Sequence, residues 1–514
     1  MSRIEVALTP ADGAVPRHSA GQLARWRLMP LGLAVVLSAC SFTPEYQRPA
    51  SPVAEQWPIP PMGMGVDPAA VLSGMPVANI GWRQFFNDQR LQQLVSLALE
   101  NNRDLRVAVL NIEAARAQYN IQRSALSPSI GVAGTGTRQR VPGDLAMGGD
   151  SMISSQYQVG VAMTAFEIDL FGRLRSLSES ALAQYLSTEE SRRNVQISLI
   201  SQVAETYLNL LASNAQIELT ERTLKSRQES YDLVKRRFDA GVGSALDLNQ
   251  AQTLLDNARS DRQAMLRARA QAMNALTLLT GTADLPDLGT SAQPFNRNDI
   301  LAPIPAGLSS DVLLLRPDIR AAEQNLIAAN ANIGAARAAF FPTISLTALF
   351  GTASAQLSGL FGGGSAAWSF SPQISTPIFA GGSLRNQLAL AEVRKDIAVA
   401  NYERTIQQAF REVSDALAGT ATYTEQLQAQ RSFVAAARRS RDLAQLRYES
   451  GVDSYLQVQD AERTLFGAQQ QLVRTQTEEL QNRIALYKAL GGGWLENTQL
   501  TPIEPAARSA VRKR

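Results

Sequence analysis

The side chains that most often perform chemistry are nearly absent from this chain. It has one histidine, His18, and one cysteine, Cys40, and both lie near the N-terminus. A chain that otherwise lacks both residue types cannot form a Ser-His-Asp centre, a Cys-His centre or a Cys/His zinc site. Carboxylate chemistry stays open in principle. The composition therefore disfavours an enzyme, and we predict no catalytic residue, no metal site and no cofactor.

Cys40 lies in a context that favours covalent attachment of lipid. Arg25 and Arg27 precede an apolar run of about ten residues, which is too short to span a bilayer but suits a signal peptide. Small residues come directly before the cysteine, and this pattern resembles a bacterial lipobox. We predict that residues 1–39 are a lipoprotein signal peptide and that Cys40 becomes an N-palmitoyl, S-diacylglycerol cysteine. The alternative is a cysteine buried at the end of a core segment.

The rest of the chain consists of two copies of one pattern. The stretch RFDAGVGSALDLNQA begins at Arg237, and RYESGVDSYLQVQDA begins 210 residues later, at Arg447. The same offset, without a gap, relates Arg175 to Arg385, which indicates a tandem duplication. The predicted divisions are an extended N-terminal segment at 40–81, a first repeat at 82–281, a Pro-rich linker or equatorial region at 282–310, a second repeat at 311–491 and a C-terminal tail at 492–514.

Each repeat contains a stretch that favours very long helices. No proline occurs between Pro142 and Pro286 or between Pro377 and Pro502. A helix from about 173 to 240 would be roughly 100 Å long at ~1.5 Å per residue. Apolar residues recur there at every seventh position, which is typical of a coiled-coil seam. The seam residues are Val203, Leu210, Ile217, Leu224, Tyr231 and Phe238. Periodicity alone would also fit a soluble fibrous rod.

Four shorter segments alternate between apolar residues and small or polar residues. This period of two, over about ten residues, matches a transmembrane β-strand with one face towards lipid and one towards a wet lumen. The alternative is half of a soluble sandwich. The strands are predicted at about 128–138, 156–166, 342–351 and 367–378. The predicted apolar face carries Ile130, Val132, Tyr157, Val159, Val161, Met163, Ile344, Leu346, Ala348, Phe350, Trp368, Phe370 and Ile374.

Four strands cannot close a barrel, yet a bilayer tolerates only closed ones. Three chains would supply twelve strands, so a trimer with a shared barrel is the expected closure. Both hairpin loops, about 138–155 and 352–367, should point the same way because each hairpin is entered from a helix and left into a helix. The helices should extend the other way, into the periplasm.

Several motifs in this order resemble the TolC-like outer membrane efflux proteins, in particular their lipoprotein branch, the NodT type. The motifs are CSFTPEYQRP at 40–49, Trp82 with FFND at 85–88, ALENN at 98–102, LLRPDIRAAE at 314–323, AAFFP at 338–342 and LYKALGGGW at 486–494. The resemblance implies a homotrimer with a shared 12-stranded transmembrane β-barrel, four strands per chain, and a long periplasmic α-helical coiled-coil barrel. It also implies partnership with a periplasmic adaptor (a membrane fusion protein) and an inner-membrane pump of the resistance-nodulation-division (RND) class.

The resemblance also assigns roles to the two repeated stretches, which become helix turns at the periplasmic end. It implies that a tyrosine and an aspartate bond in the resting gate, here Tyr448 and Asp247. The family often has two acidic positions that form rings around the bore of the trimer. This chain has Asp460 at one of them and Gln457 at the other. Asp453 stands where some members carry a gating arginine. A solvated helix start would also favour an aspartate at 247. The implied adaptor-docking residues at the turns are Gly241, Val242, Gly243, Gly451, Val452 and Ser454.

The function expected from this combination is a passive exit duct for drugs and other small molecules, in the outer membrane and lipid-anchored, with most of the chain in the periplasm. The formal net charge of +3 comes without a basic patch, so no nucleic-acid partner is predicted. Two alternatives stay open: the same channel serving type I protein secretion with an ABC transporter, and a surface-anchored coiled-coil structural lipoprotein.

Overall fold

The structure, a computed structural model, describes residues 42–58, 77–145, 149–288, 300–302 and 310–499. The predicted signal peptide and Cys40 lie outside these ranges. The described residues form two compact units. Unit 1 takes those up to Pro44, Arg123–Ser178 and Ala331–Ala389, and unit 2 takes Glu45–Gln122, Glu179–Asn330 and the residues from Leu390 onwards.

In both halves of the described chain a helix is followed by two strands, a very long helix and a shorter helix, and the first half has two additional helices before this series. The helices are α1 (Trp82–Phe85), α2 (Gln89–Asn101), α3 (Arg103–Ser124), α4 (Arg173–Asp239), α5 (Ala245–Thr280), α6 (Pro317–Ala338), α7 (Ser383–Glu449) and α8 (Tyr455–Ala489). The strands are β1 (Ile130–Val141), β2 (Met152–Ile168), β3 (Thr343–Ser354) and β4 (Ala366–Ser375). Short 3₁₀ turns occur at Val77–Asn79, Gly143–Leu145, Ser310–Leu315 and Leu357–Gly359.

Unit 1 contains one antiparallel sheet in the order β1-β2-β3-β4. The register places Val132 opposite Val161, Val161 opposite Phe350, and Phe350 opposite Trp368. Residues directly opposite one another share a face, so this row of apolar side chains crosses the whole sheet on one side. The exposed fractions are 81%, 51%, 75% and 76% along the row. In the described chain, no strand pairs with the outer edge of β1 or of β4.

A β-bulge in β2 changes which residues face each way. The register shifts between Met163 and Phe166, and Ala165 has a φ of 50°, in the left-handed region. Its N–H donates to the Thr347 hydroxyl at 3.2 Å. One extra residue moves the apolar positions from odd to even numbers, so that Phe166 and Ile168 continue the face of Met163. Simple alternation does not predict this change.

The long helices α4 and α7 have 67 residues each, and therefore a length of roughly 100 Å at ~1.5 Å per residue. The heptad seam of α4 is buried at Val203, Leu210 and Ile217. Further along the helix Phe238 is 38% exposed within the single chain. No described helix is both long and apolar enough to cross a bilayer.

The core of unit 2 is built on aromatic residues from sequence-distant elements. The rings of Phe85 and Tyr487 stack with centroids 3.9 Å apart. The Tyr487 hydroxyl donates to the carbonyl of Ile80 at 2.6 Å, which satisfies its polar end. Trp82 and Phe86 are also buried in this cluster. These contacts join the beginning of the first repeat to the end of the second.

A buried cation lies beside this core. Arg316 is 6% exposed. Its guanidinium donates to Asp318 at 3.0 and 2.7 Å, to Glu412 at 2.9 Å and to the carbonyl of Ala489 at 2.8 Å. Two carboxylates and a carbonyl thus compensate the cost of removing this charge from water. The arginine of the RPD motif therefore ties α6 to α7 and α8.

Candidate functional site at the two helix turns

The two repeated stretches form matching turns, the first turn at residues 240–244 and the second turn at 450–454. In the first, the N–H of Gly241 donates to the carbonyl of Phe238 and that of Val242 to Arg237. In the second, Gly451 and Val452 make the same two bonds to residues 448 and 447. This pair of hydrogen bonds defines a Schellman motif, in which the residue after the helix adopts the left-handed backbone conformation. Gly241 and Gly451 supply φ values of 77° and 72° at no steric cost.

The apolar residues that follow each pivot glycine are exposed. Val242 is 70% exposed and Val452 is 63% exposed. The next helices begin differently: Ser244 caps α5 by accepting from the N–H of Leu246 at 3.0 Å, whereas Ser454 caps α8 without a side-chain bond. The predicted docking residues therefore lie together at the turns and present apolar surface to solvent.

One position distinguishes the second turn from the first. Asp453 accepts from the Nε of Arg447 at 2.6 Å and from its Nη2 at 3.2 Å. This two-pronged bond to Arg447 lowers the pKa of Asp453. The equivalent residue of the first turn is Gly243, which has no carboxylate. Asp453 is thus an internal clamp on the second turn.

Tyr448 lies in a small apolar cluster between the helices. It is 7% exposed and packs with Val234, Ala251, Tyr455 and Val458. Its ring meets that of Tyr455 edge-on with centroids 5.3 Å apart. Burial raises the pKa of the Tyr448 phenol, while the charge of a neighbouring arginine opposes this rise. The phenol therefore stays protonated and can donate a hydrogen bond.

The guanidinium of Arg237 covers the ring of Tyr448, with its central carbon 5.0 Å from the ring centroid. This geometry is that of a cation–π contact. The charge of the half-buried Asp247 also raises the pKa of the Tyr448 phenol. Within the described residues of this single chain, however, no hydrogen bond joins Tyr448 to Asp247.

The remaining predicted gate residues are on the first turns of α8. Asp460 accepts from the Nη2 of Arg463 at 2.7 Å, so its charge is partly balanced within the same helix. Gln457 is exposed, and its backbone N–H donates to Ser454. In the described part of the chain no group of histidine, cysteine or acidic side chains could hold a metal ion.

The structure gives contacts to two arginines to which sequence reasoning gave no role: Arg237 lies over the Tyr448 ring, and Arg447 binds Asp453. Arg237 and Arg447 occupy the same position in the two repeats, directly before an aromatic residue. The signal available in the sequence was the Gly-to-Asp difference between positions 243 and 453. It indicates that one arginine has a carboxylate partner in its own turn and the other does not.

The fold and these turns define a class of protein, the outer membrane channels that combine a β-sheet with very long helices. The family model for outer membrane efflux proteins matches residues 94–282 and 308–492, and the chain belongs to this family. An outer membrane location and a transport role in efflux follow from this membership. The predictions of family, fold class, location and general function are confirmed.

Curated relatives from two Pseudomonas species cover nearly the whole chain. The probable efflux pump outer membrane protein TtgC of Pseudomonas putida is 51% identical over 466 residues, which are 90% of this chain and 95% of the relative. The solvent efflux pump outer membrane protein SrpC of P. putida is 49% identical over 475 residues, 91% of this chain and 99% of the relative. Outer membrane protein OprJ of Pseudomonas aeruginosa is 46% identical over 468 residues, 91% and 96% of the two chains.

Solved structures share the fold over a similar extent. A membrane protein of P. aeruginosa matches with a TM-score of 0.82 and 45% identity, covering 89% of this chain and 98% of that chain. The open state of the MtrE outer membrane channel of Neisseria gonorrhoeae matches with a TM-score of 0.78 and 37% identity, covering 90% and 100%.

Proposed function

We propose that this chain is the exit duct of a tripartite efflux pump and works as a homotrimer with a shared twelve-stranded barrel. The observation that carries this proposal is the sheet of unit 1. It has two unpaired edges and an apolar face that is largely exposed in the single chain. A bilayer does not tolerate open edges, so three four-stranded sheets close on one another.

The partners of the trimer are a periplasmic adaptor and an inner-membrane RND pump, and the exported molecules are small organic compounds. The names of the relatives support this substrate class, since they describe pumps for toluene, for solvents and for antibiotics. The exposed Val242 and Val452 give the adaptor an apolar docking surface at the turns. The pump supplies the energy, and the duct itself performs no chemistry.

Cys40 carries the lipid anchor. Phe42 follows it two residues later in the sequence and stacks on Phe341 with ring centroids 4.5 Å apart. Phe341 stacks in turn on Phe171 at 4.9 Å. These two rings lie between the strands and the helices of unit 1, at the end of β2 and the beginning of β3. The stack supports an anchor whose acyl chains enter the bilayer beside the barrel.

The two turns form the periplasmic gate. In the closed trimer the Tyr448 phenol donates to Asp247, and three copies of Asp460 face the bore and attract cations. The repeats at 82–281 and 311–491 each supply one turn, and the two family matches support this division. Asp453 takes no part in the bond between Tyr448 and Asp247, because Arg447 holds its carboxylate.

The decisive experiment is reconstitution of the purified, lipidated protein in planar bilayers. We expect a heat-sensitive, detergent-resistant trimer that conducts ions, and restoration of solvent or antibiotic resistance in a strain that lacks its own efflux duct. A monomer without conductance would overturn the proposal. It would favour the structural lipoprotein instead. Rescue of protein secretion without rescue of resistance would favour the ABC-dependent alternative.

A further inference from the structure

The two turns provide an internal comparison, because the same pair of backbone hydrogen bonds accompanies two different arginine environments. Arg447 and Arg237 each accept the Schellman bond of their turn on the backbone carbonyl. The side chain of Arg447 is held by Asp453 at 2.6 Å. The side chain of Arg237 has no carboxylate at the matching position 243 and lies instead over the ring of Tyr448.

Steric crowding favours glycine at position 243. A Cβ at that position would lie 2.7 Å from the backbone nitrogen of Phe238 and 3.0 Å from the carbonyl carbon of Arg237. Both distances are tighter than ordinary van der Waals contact. The first turn thus has no room for a side chain at position 243. Arg237 therefore finds no partner at that position, and its guanidinium reaches Tyr448 on α7.

Contact with Arg237 restricts the position of Tyr448. One face of the ring is covered by the guanidinium, and its edge meets Tyr455. Val234 and Val458 fill the remaining space of the cluster. A phenol held on several sides loses little additional freedom when its hydroxyl forms a bond, so the cost of making that bond is small.

We propose that Arg237 is a positioning residue for the gate and acts through Tyr448. It holds the phenol in the orientation from which it donates its hydrogen bond. Gly243 permits this in two ways, because any side chain there would crowd the backbone and a carboxylate there would also capture the arginine. This inference rests on the proposed function of the turns as a gate. The difference between the two turns is therefore functional. In the second turn Arg447 binds Asp453 of the same turn, whereas Arg237 of the first turn contacts Tyr448 on α7.

The first test is a double-mutant cycle read out as single-channel open probability in planar bilayers. A cation–π contact corresponds to at least about a twofold to fivefold change in a two-state balance per subunit, and Arg237→Gln should raise the open probability accordingly. Arg237→Lys, which keeps the cation, should lie nearer the wild type. In a Tyr448→Leu background, Arg237→Gln should have no further effect. Arg236→Gln removes the same charge from the exposed neighbouring position and serves as the control.

The second test moves the clamp from one turn to the other. Gly243→Asp supplies the carboxylate that Asp453 supplies at the second turn, so it should capture Arg237 and raise the open probability as Arg237→Gln does. Gly243→Asn has the same size and the same crowding without the charge, and it should open the channel less. Equal effects of Asp and Asn would show that crowding alone perturbs the turn, and would overturn the capture mechanism.

The outcomes separate this inference from the proposed gate. If Tyr448→Leu opens the channel and Arg237→Gln does not, the gate stands and the role of Arg237 is wrong. An equal effect of Arg237→Gln in both backgrounds would also refute it, because the arginine would then act elsewhere. If neither substitution changes the open probability, the gate proposal itself fails.

Discussion

The apolar row across the sheet allows a direct test of which face meets lipid. Phe350 lies in β3 between Val161 and Trp368 and is 75% exposed in the single chain. We predict that Phe350→Arg prevents assembly of the channel in the outer membrane. The substitution places a guanidinium on the face where all four strands carry apolar side chains.

The free-energy cost of this substitution depends on how deep the side chain lies in the bilayer and on the three copies in the proposed trimer. An arginine on the lipid face near the bilayer midplane costs about 2–4 kcal/mol, and three copies would cost roughly 6–12 kcal/mol per trimer. The lost apolar contact of the phenylalanine adds to this cost. A penalty of that size is comparable to the stability of many folded domains, so little assembled trimer should remain.

The assay is the yield of detergent-resistant trimer in purified outer membranes. Ser369→Arg is the matched control, because Ser369 follows Trp368 directly in β4 and its side chain points to the opposite face. This variant should assemble and conduct, with weaker cation selectivity from the added lumenal charge. Normal assembly of Phe350→Arg together with failure of Ser369→Arg would show that the two faces have been assigned the wrong way round.

Three further predictions concern the anchor, the topology and the bore. Mass spectrometry of the mature protein should find acylated Cys40 with no residue before it; an intact N-terminus with an unmodified thiol would contradict the lipoprotein assignment, whereas Cys40→Ser should lower the amount in the outer membrane without abolishing the barrel. Cysteines introduced in the two hairpin loops should react with an impermeant reagent on intact cells, whereas those beside Gly241 or Gly451 should react only after the outer membrane is breached; the reverse order would invert the topology. Asp460→Ala should weaken cation selectivity and any block by trivalent cations without opening the gate. Tyr448→Phe should raise the open probability because a charge-assisted bond of about 1.5–3 kcal/mol is lost. If instead Asp460→Ala opened the channel and Tyr448→Phe changed only its selectivity, the roles of the two residues would have been exchanged.

Much of the fold could be read from the sequence because its signals are local or periodic. The lack of proline over long stretches and the recurrence of apolar residues every seventh position predict helices like α4, and the structure has one at Arg173–Asp239. Alternation at a period of two predicts strands and their apolar face. The strand limits differ by a few residues, most at β2, which extends from Met152 to Ile168. The fixed offset between the copies also predicts that the two turns share one geometry.

The candidate site was only partly accessible in this way. The resemblance pairs Tyr448 with Asp247, and that pairing stays a prediction. Neither composition nor spacing indicated that Arg237 covers Tyr448, since 211 positions separate them in the chain and their contact depends on how α4 and α7 pack. The same limit applies to Arg316, whose charge is compensated by Glu412 on a different helix.

The sequence by itself therefore determined the element types, the repeated pattern, the apolar face of the strands and the family, because each is written in residue identities a fixed number of positions apart. Only the tertiary structure decided the bulge at Ala165, the ion pair between Arg447 and Asp453 and the placement of Arg237 on the ring of Tyr448. The reason is physical. Periodicity depends on the geometry of a single helix or strand, whereas the partner of a charged side chain depends on which groups the packed backbone brings within a few ångströms.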